Sequence, residues 1–214
     1  LQGLPVVFCL DRAGLVGQDG PTHHGIFDIA QLRCIPGLTL MAPMDNLDLR
    51  NMLYTVQKDP AGPVAIRYPR GHSNNPDWKQ PFEALPIGKG RELRSGSAIA
   101  VVTLGPCGQR VQDILPQTQN PGAFGHFDFR FARPLDTGLL GEICRTYTQV
   151  VTVEDGVRAG GFGSAILEAV QELGFRGGVT RLGIRDASPP HGTVEELLAE
   201  QGLDTTGLLN TFNQ

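Results

Sequence analysis

The chain has 214 residues, 40% of them hydrophobic and 19% charged, with a net charge of −4. That length buries one large core or two modest ones, and the acidic balance disfavours nucleic acid or an anionic membrane surface as a partner. The longest apolar run, residues 98–104, is of strand length and falls short of the roughly 18–20 residues a membrane span needs.

Residues 5–10 have the β-branched and aromatic content of a buried strand. The run breaks at residues 11–28 into a glycine-rich loop carrying Arg12, Asp19, His23, His24 and Asp28. In open α/β sheets the ligand lies beyond the carboxyl ends of the strands, on loops of this kind. A short helix is predicted over 26–33 and a strand over 38–42. Asp45 is the expected N-cap of a helix over 46–58, whose buried face is given by spacing as Leu49, Met52, Leu53 and Val56. Residues 59–63 stop that helix, and a third strand at 64–66 ends at Arg67-Tyr68-Pro69-Arg70. Strand and helix alternate, a parallel α/β pattern. Three strands make only half a domain, and the chain opens on Leu1 rather than Met, so a piece of a longer polypeptide is expected.

Residues 72–95 change character and read as a linker with some local β structure, marked by Trp78, Pro81 and Pro86. A second α/β unit begins at Ser97, with a strand over 98–104 and a helix over 109–115. A strand over 126–131 sets His126, Asp128 and Arg130 against Phe127, Phe129 and Phe131. A helix from Pro134 to about Arg145 follows, then a strand at 150–153 ending at Glu154-Asp155. Gly160-Gly161-Phe162-Gly163-Ser164 opens a helix reaching Leu173. The last elements are a strand at 179–184 and a helix at 193–201 with Thr193 and Glu196 as a capping box. The expected class is α/β in two units, residues 1–80 and 96–214, joined by 81–95. Of four cysteines, Cys9, Cys34 and Cys144 sit among apolar residues and read as small buried hydrophobes, pointing to a reducing compartment.

Arg12 and Arg70 each follow a strand end, so in a parallel sheet both face the same side and could converge on one anion. A guanidinium suits phosphate through its charged, bidentate fork. The alternative is a set of structural salt bridges to Asp11, Asp19 or Asp28, the role assigned to Arg67. His23 can transfer protons near neutrality, with Asp19 orienting it or binding a substrate hydroxyl. Loop-stabilising hydrogen bonds are the blander reading, and zinc at His23, His24 and Asp28 is disfavoured because adjacent histidines rarely reach one metal. The glycines at 160–163 resemble a phosphate-cradling turn but lack the full Gly-x-Gly-x-x-Gly spacing and a Lys-Ser/Thr pair. A packing role is favoured there. His191 reads as a surface turn residue.

The ordered set Asp11-Arg12-Ala13-Gly14-Leu15-Val16-Gly17, Asp19-Gly20-Pro21-Thr22-His23 and Gly25-Ile26-Phe27-Asp28 resembles the signature of the 1-deoxy-D-xylulose-5-phosphate synthase family. The likeness continues through Leu32-Arg33-Cys34-Ile35-Pro36, Met52-Leu53-Tyr54 and Arg67-Tyr68-Pro69-Arg70-Gly71. It is densest over 4–71 and extends to about 205. It implies the C-terminal third of such an enzyme: half of a pyrimidine-binding domain followed by a transketolase C-terminal domain. The family condenses pyruvate with D-glyceraldehyde 3-phosphate, losing CO2, with thiamine diphosphate and Mg²⁺; the product feeds isoprenoid, thiamine and pyridoxal synthesis.

By the resemblance, Arg12 and Arg70 bind the sugar phosphate, while Asp19 and His23 are the catalytic residues handling the aldehyde. It further implies a homodimeric full-length enzyme, cytoplasmic or plastid, with no nucleic-acid or membrane partner. The cofactor anchors are expected to be missing: the sequence holds no Gly-Asp-Gly, and the family's glutamate for the aminopyrimidine lies upstream of Leu1. The chain alone is therefore expected to be inactive without the N-terminal portion. The alternatives are a piece of another transketolase-like enzyme and a non-catalytic, partner-binding remnant. A transketolase or a dehydrogenase E1 β-subunit would fit the former, though the Arg12 and Arg70 contexts disfavour the E1 subunit, which handles no sugar phosphate.

Overall fold

The computed structural model describes residues 2–58, 62–72, 79–185 and 188–214. The predicted helix stop at 59–61 and the linker residues 73–78 lie outside the described residues. Strands β1 (Val7–Leu10), β2 (Thr39–Met41) and β3 (Val64–Arg67) run parallel in the spatial order β1-β3-β2. Helices α1 (Asp28–Leu32) and α2 (Asn46–Lys58) lie between them in the chain. Asp45 does cap α2, its Oδ1 accepting the Asp48 N–H at 2.8 Å.

Met52 and Val56 are buried, with Leu49 packed beside them, as the spacing suggests, but the rest of the buried face of α2 is polar. Leu53 is exposed, while Asp48, Asn51 and Thr55 are buried beside Met52 and Val56. Asn51 Oδ1 accepts the Glu83 N–H at 3.2 Å and Thr55 Oγ1 the Leu85 N–H at 2.8 Å. The helix meets a crossing backbone, and backbone N–H groups need acceptors rather than methyl groups. Strand β1 also differs from the expected buried strand. It stands at the sheet edge, which leaves Phe8 51% exposed and Cys9 exposed. Cys34 is exposed too and Cys144 is half-buried, whereas Cys107 is the buried cysteine.

The second sheet holds β4 (Arg91–Arg94), β5 (Ile99–Leu104) and β6 (Phe124–Asp128). Beyond them, β7 (Phe131–Arg133) leaves for the first sheet, and β8 (Gln149–Val157) and β9 (Gly178–Ile184) complete the second. Its order is β4-β6-β5-β8-β9, with only β4 antiparallel. Helices α3 (Cys107–Ile114), α4 (Thr137–Thr146), α5 (Phe162–Glu172), α6 (Val194–Gln201) and α7 (Thr205–Phe212) accompany it. Thr193 and Glu196 form the capping box of α6. Strand β4 falls within the local β structure expected of residues 72–95, and helix α7 has no counterpart among the predicted elements.

The predicted strand over 126–131 is in fact two. Arg130, at φ 57, turns the chain out of the second sheet, and β7 pairs antiparallel with β2. Phe131 is then buried with Met41, Met52 and Ile66 of the first unit. The alternation misled because both faces of β6 are covered: His126 and Asp128 are as buried as Phe127. Arg91 holds Asp48 at 2.5 Å and Asp128 at 2.9 Å, and Arg130 reaches Asp48 at 3.2 Å. Burial, with the Arg91 and Arg94 charges, pushes the His126 imidazole down to about 4.

Candidate active site

Leu10 and Arg67 are register partners in the parallel pair β1–β3, so both strands deliver their following residues to the same edge. Arg12 takes a left-handed backbone, φ 59. For a side chain with a Cβ that is strained, and it persists only where the surroundings over-determine it. Here the Gly25 N–H donates to Arg12 O at 3.0 Å and the Ala13 N–H to Tyr68 O at 3.0 Å.

The two arginines do converge, and what they converge on is Asp19. Arg12 Nε lies 3.0 Å from Asp19 Oδ2, and Arg70 Nη1 pairs with Asp19 Oδ1. Arg12 Nη1 also holds Asp11 at 2.9 Å. Arg70, then Arg12, keep the Asp19 carboxyl below the usual carboxylate range. The Arg12 and Arg70 side chains stay 40% and 58% exposed. Ion pairs so open to water are weak.

The adjacent histidines divide. His24 is buried, with its Nδ1 accepting the Val16 N–H at 3.1 Å; this puts the ring proton on Nε2, 3.4 Å from Pro190 O. His23 is exposed and hydrogen-bonded through Nδ1 to Thr22 Oγ1 at 3.0 Å. Among the described residues Asp19 bonds the arginines, not His23. Zinc at His23, His24 and Asp28 finds no support, since no three His, Cys, Asp or Glu side chains gather as metal ligands among the described residues. Asp28 turns instead toward Arg67, 3.7 Å from its Nε.

Arg67 is the structural centre of the loop. Fully buried, it bonds Asp155 Oδ1 at 2.6 Å through Nη1 and Gly25 O at 3.2 Å through Nη2. Asp155 comes from β8, so the second sheet grips the loop of the first. Gly14, at φ +73, is where the Asp155 carboxylate fits: a Cβ there would stand 2.8 Å from Oδ2, which only glycine avoids. In the sequence Asp155 is marked only as half of an acidic pair closing the apolar strand at 150–153, at the edge where ligands bind.

Glu154, the other acid of that pair, is buried and accepts the Phe162 N–H and the Gly163 N–H, both at 2.8 Å. The chain's own carboxylate thus fills the α5 N-terminus, and the glycines there serve packing: a Cβ on Gly161 would lie 2.2 Å from Val157 O. Burial lifts Glu154 to about 7 against the pull of its two N–H donors. His191 is more than a turn residue, because its Nε2–H donates to Gln18 O at 2.8 Å.

Residues 1–75 match the family described as "Transketolase, pyrimidine binding domain", and residues 88–208 that described as "Transketolase, C-terminal domain". A 1-deoxy-D-xylulose-5-phosphate synthase of Bacteroides thetaiotaomicron is 48% identical over 97% of this chain and 32% of its own length. That of Cytophaga hutchinsonii is 44% identical over 99% of this chain and 34% of its own. The chain thus spans about a third of the length of the curated relatives it matches. A solved structure described as "Split gene transketolase, inactive beta4 tetramer" superposes with a TM-score of 0.80 at 26% identity, covering 98% of this chain and 67% of that one. No helix among the described residues is long and apolar enough to cross a membrane. With both domain families matched in chain order over one α/β framework, the chain belongs to the transketolase family and has 1-deoxy-D-xylulose-5-phosphate synthases among its relatives.

Proposed function

We propose that this chain is the acceptor-binding portion of a thiamine-diphosphate-dependent 1-deoxy-D-xylulose-5-phosphate synthase, acting on pyruvate and D-glyceraldehyde 3-phosphate. The supporting observation is the meeting of Arg12 and Arg70 from adjacent parallel strand ends, with His23 exposed in the same loop. In this reading the aldehyde's phosphate takes the two guanidiniums from Asp19, binding each fork through charge-assisted hydrogen bonds. The released Asp19 carboxylate accepts a substrate hydroxyl, and His23 moves the proton at the aldehyde oxygen.

The cofactor, when bound, supplies the carbanion chemistry. We place its metal-diphosphate anchor outside this chain, since the sequence has no Gly-Asp-Gly. That anchor is assigned to the part of the curated relatives that this chain, at about a third of their length, does not span. A homodimeric, cytoplasmic enzyme belongs to the same proposal.

The test is co-expression with the N-terminal two thirds of the Bacteroides thetaiotaomicron relative. Pyruvate consumption is then measured with phosphorylated and unphosphorylated glyceraldehyde. Arg12→Ala or Arg70→Ala should weaken use of the phosphorylated aldehyde by about ten- to a hundredfold and barely touch the other. His23→Asn should slow both by roughly a hundredfold. Equal losses with the two aldehydes in the arginine variants would mean they hold the fold. No turnover in any pairing would favour the non-catalytic remnant.

A further inference from the structure

The turn that presents Asp19 is held from within by backbone hydrogen bonds alone. Residues 17–19 form a single 3-10 turn with no side-chain cap; the Gly20 N–H closes it on Gly17 O at 3.0 Å, while the Asp19 N–H reaches Val16 O only at 3.5 Å. Besides the Arg12 and Arg70 pairs on Asp19, further support comes from the segment just before α6, far away in sequence. The turn packs against α6, Pro190 O faces His24 Nε2 at 3.4 Å, and His191 Nε2–H donates to Gln18 O at 2.8 Å. The Gln18 carbonyl belongs to the peptide unit that leads into Asp19. Fixing that oxygen fixes the direction in which the Asp19 side chain leaves the backbone.

We propose that His191 is a positioning residue: by donating to the Gln18 carbonyl it orients the 18–19 peptide and keeps the Asp19 carboxylate between Arg12 and Arg70. The proposal rests on the reading of those arginines as the acceptor's anion site. Neutral imidazole with its proton on Nε2 and imidazolium both donate to Gln18, so the grip does not depend on the charge of His191. Glutamine offers an amide N–H of similar reach, and alanine offers none.

The experiment follows the Asp19 carboxyl by carbon NMR against pH in the 214-residue chain, its neighbours being Arg12, Arg70 and Asp11. In the wild type it titrates below the ordinary carboxylate range, because both guanidiniums face it. In His191→Ala it should move up toward that range, and amide exchange over residues 17–23 should quicken by roughly two- to twelvefold, the worth of one hydrogen bond. In His191→Gln both readouts should return close to wild type. Exchange in β5 should stay unchanged throughout, which shows the fold intact.

An Asp19 titration unmoved in His191→Ala would overturn the proposal. Equal shifts in both variants would overturn it too, since ring bulk rather than the donated hydrogen would then be at work. Neither readout needs catalysis, so the result stands apart from the aldehyde comparison. Rescue by glutamine beside arginine variants that treat both aldehydes alike would keep His191 in place and sink the anion-site reading.

Discussion

Replacing Asp155 by asparagine should be among the most damaging single changes in the molecule. Arg67 is fully buried, and among the described residues Asp155 is its only ionic partner within hydrogen-bond distance; Asp28 stands back at 3.7 Å. Asp155 and Asp28 together keep the guanidinium charged against its burial. Removing one partner of a buried pair costs about 3–5 kcal/mol, because the other charge stays behind. Gly25 O and Asp28 remain near Arg67, so the lower end applies, about 3 kcal/mol. For a chain of this size each kcal/mol moves the melting temperature by roughly 2–4 °C, giving a fall of about 6–12 °C. In Arg67→Met with Asp155→Asn the stranded charge is gone, leaving mainly Gly25 O unpaired, a loss of about 1–3 kcal/mol. Scanning calorimetry should therefore find the double variant melting at or above Asp155→Asn alone. If its loss equals the sum of the two single losses, the pair is not coupled and the reasoning fails.

Arg12 holds a left-handed backbone, so Arg12→Gly should melt about 2–4 °C above Arg12→Ala, the reverse of the order expected in an ordinary strand or helix; Ala melting above Gly would mean position 12 carries no strain. Glu154 titrates near 7 when folded, above its ordinary 4.5. The folded chain thus keeps a proton that the unfolded chain releases, and this contribution falls as pH rises from about 4.5 to 7. Urea midpoints should show the stability difference between wild type and Glu154→Gln changing across that window, and a constant difference would refute it.

What the sequence revealed was mostly local. The caps at Asp45 and Thr193 are legible because a cap is satisfied within three residues of itself. Helix α7, capped by Asp204 on the Gly207 N–H at 3.0 Å, carries the same kind of local signal. Leu53 and Asn51 exchange their expected places because the partner of α2 is the backbone at 83–85, some 30 residues away. Arg12 and Arg70 could be placed on one edge from strand order alone. That Asp19 lies between them, with Asp155 and His191 supporting the loop from behind, depends on contacts spanning 51 to 173 positions. No periodicity records contacts of that range.

Strand β7 gives this molecule a seam different from the one its sequence suggests. The two matched families part between residues 75 and 88, yet Phe131 lies in a core built from Met41, Met52 and Ile66. A chimera joined at that gap from two relatives would inherit a phenylalanine from one parent and its socket from the other. A recombination that separates positions 41, 52 and 66 from 131 must repack that core. Here heredity divides the chain at one place and mechanics at another.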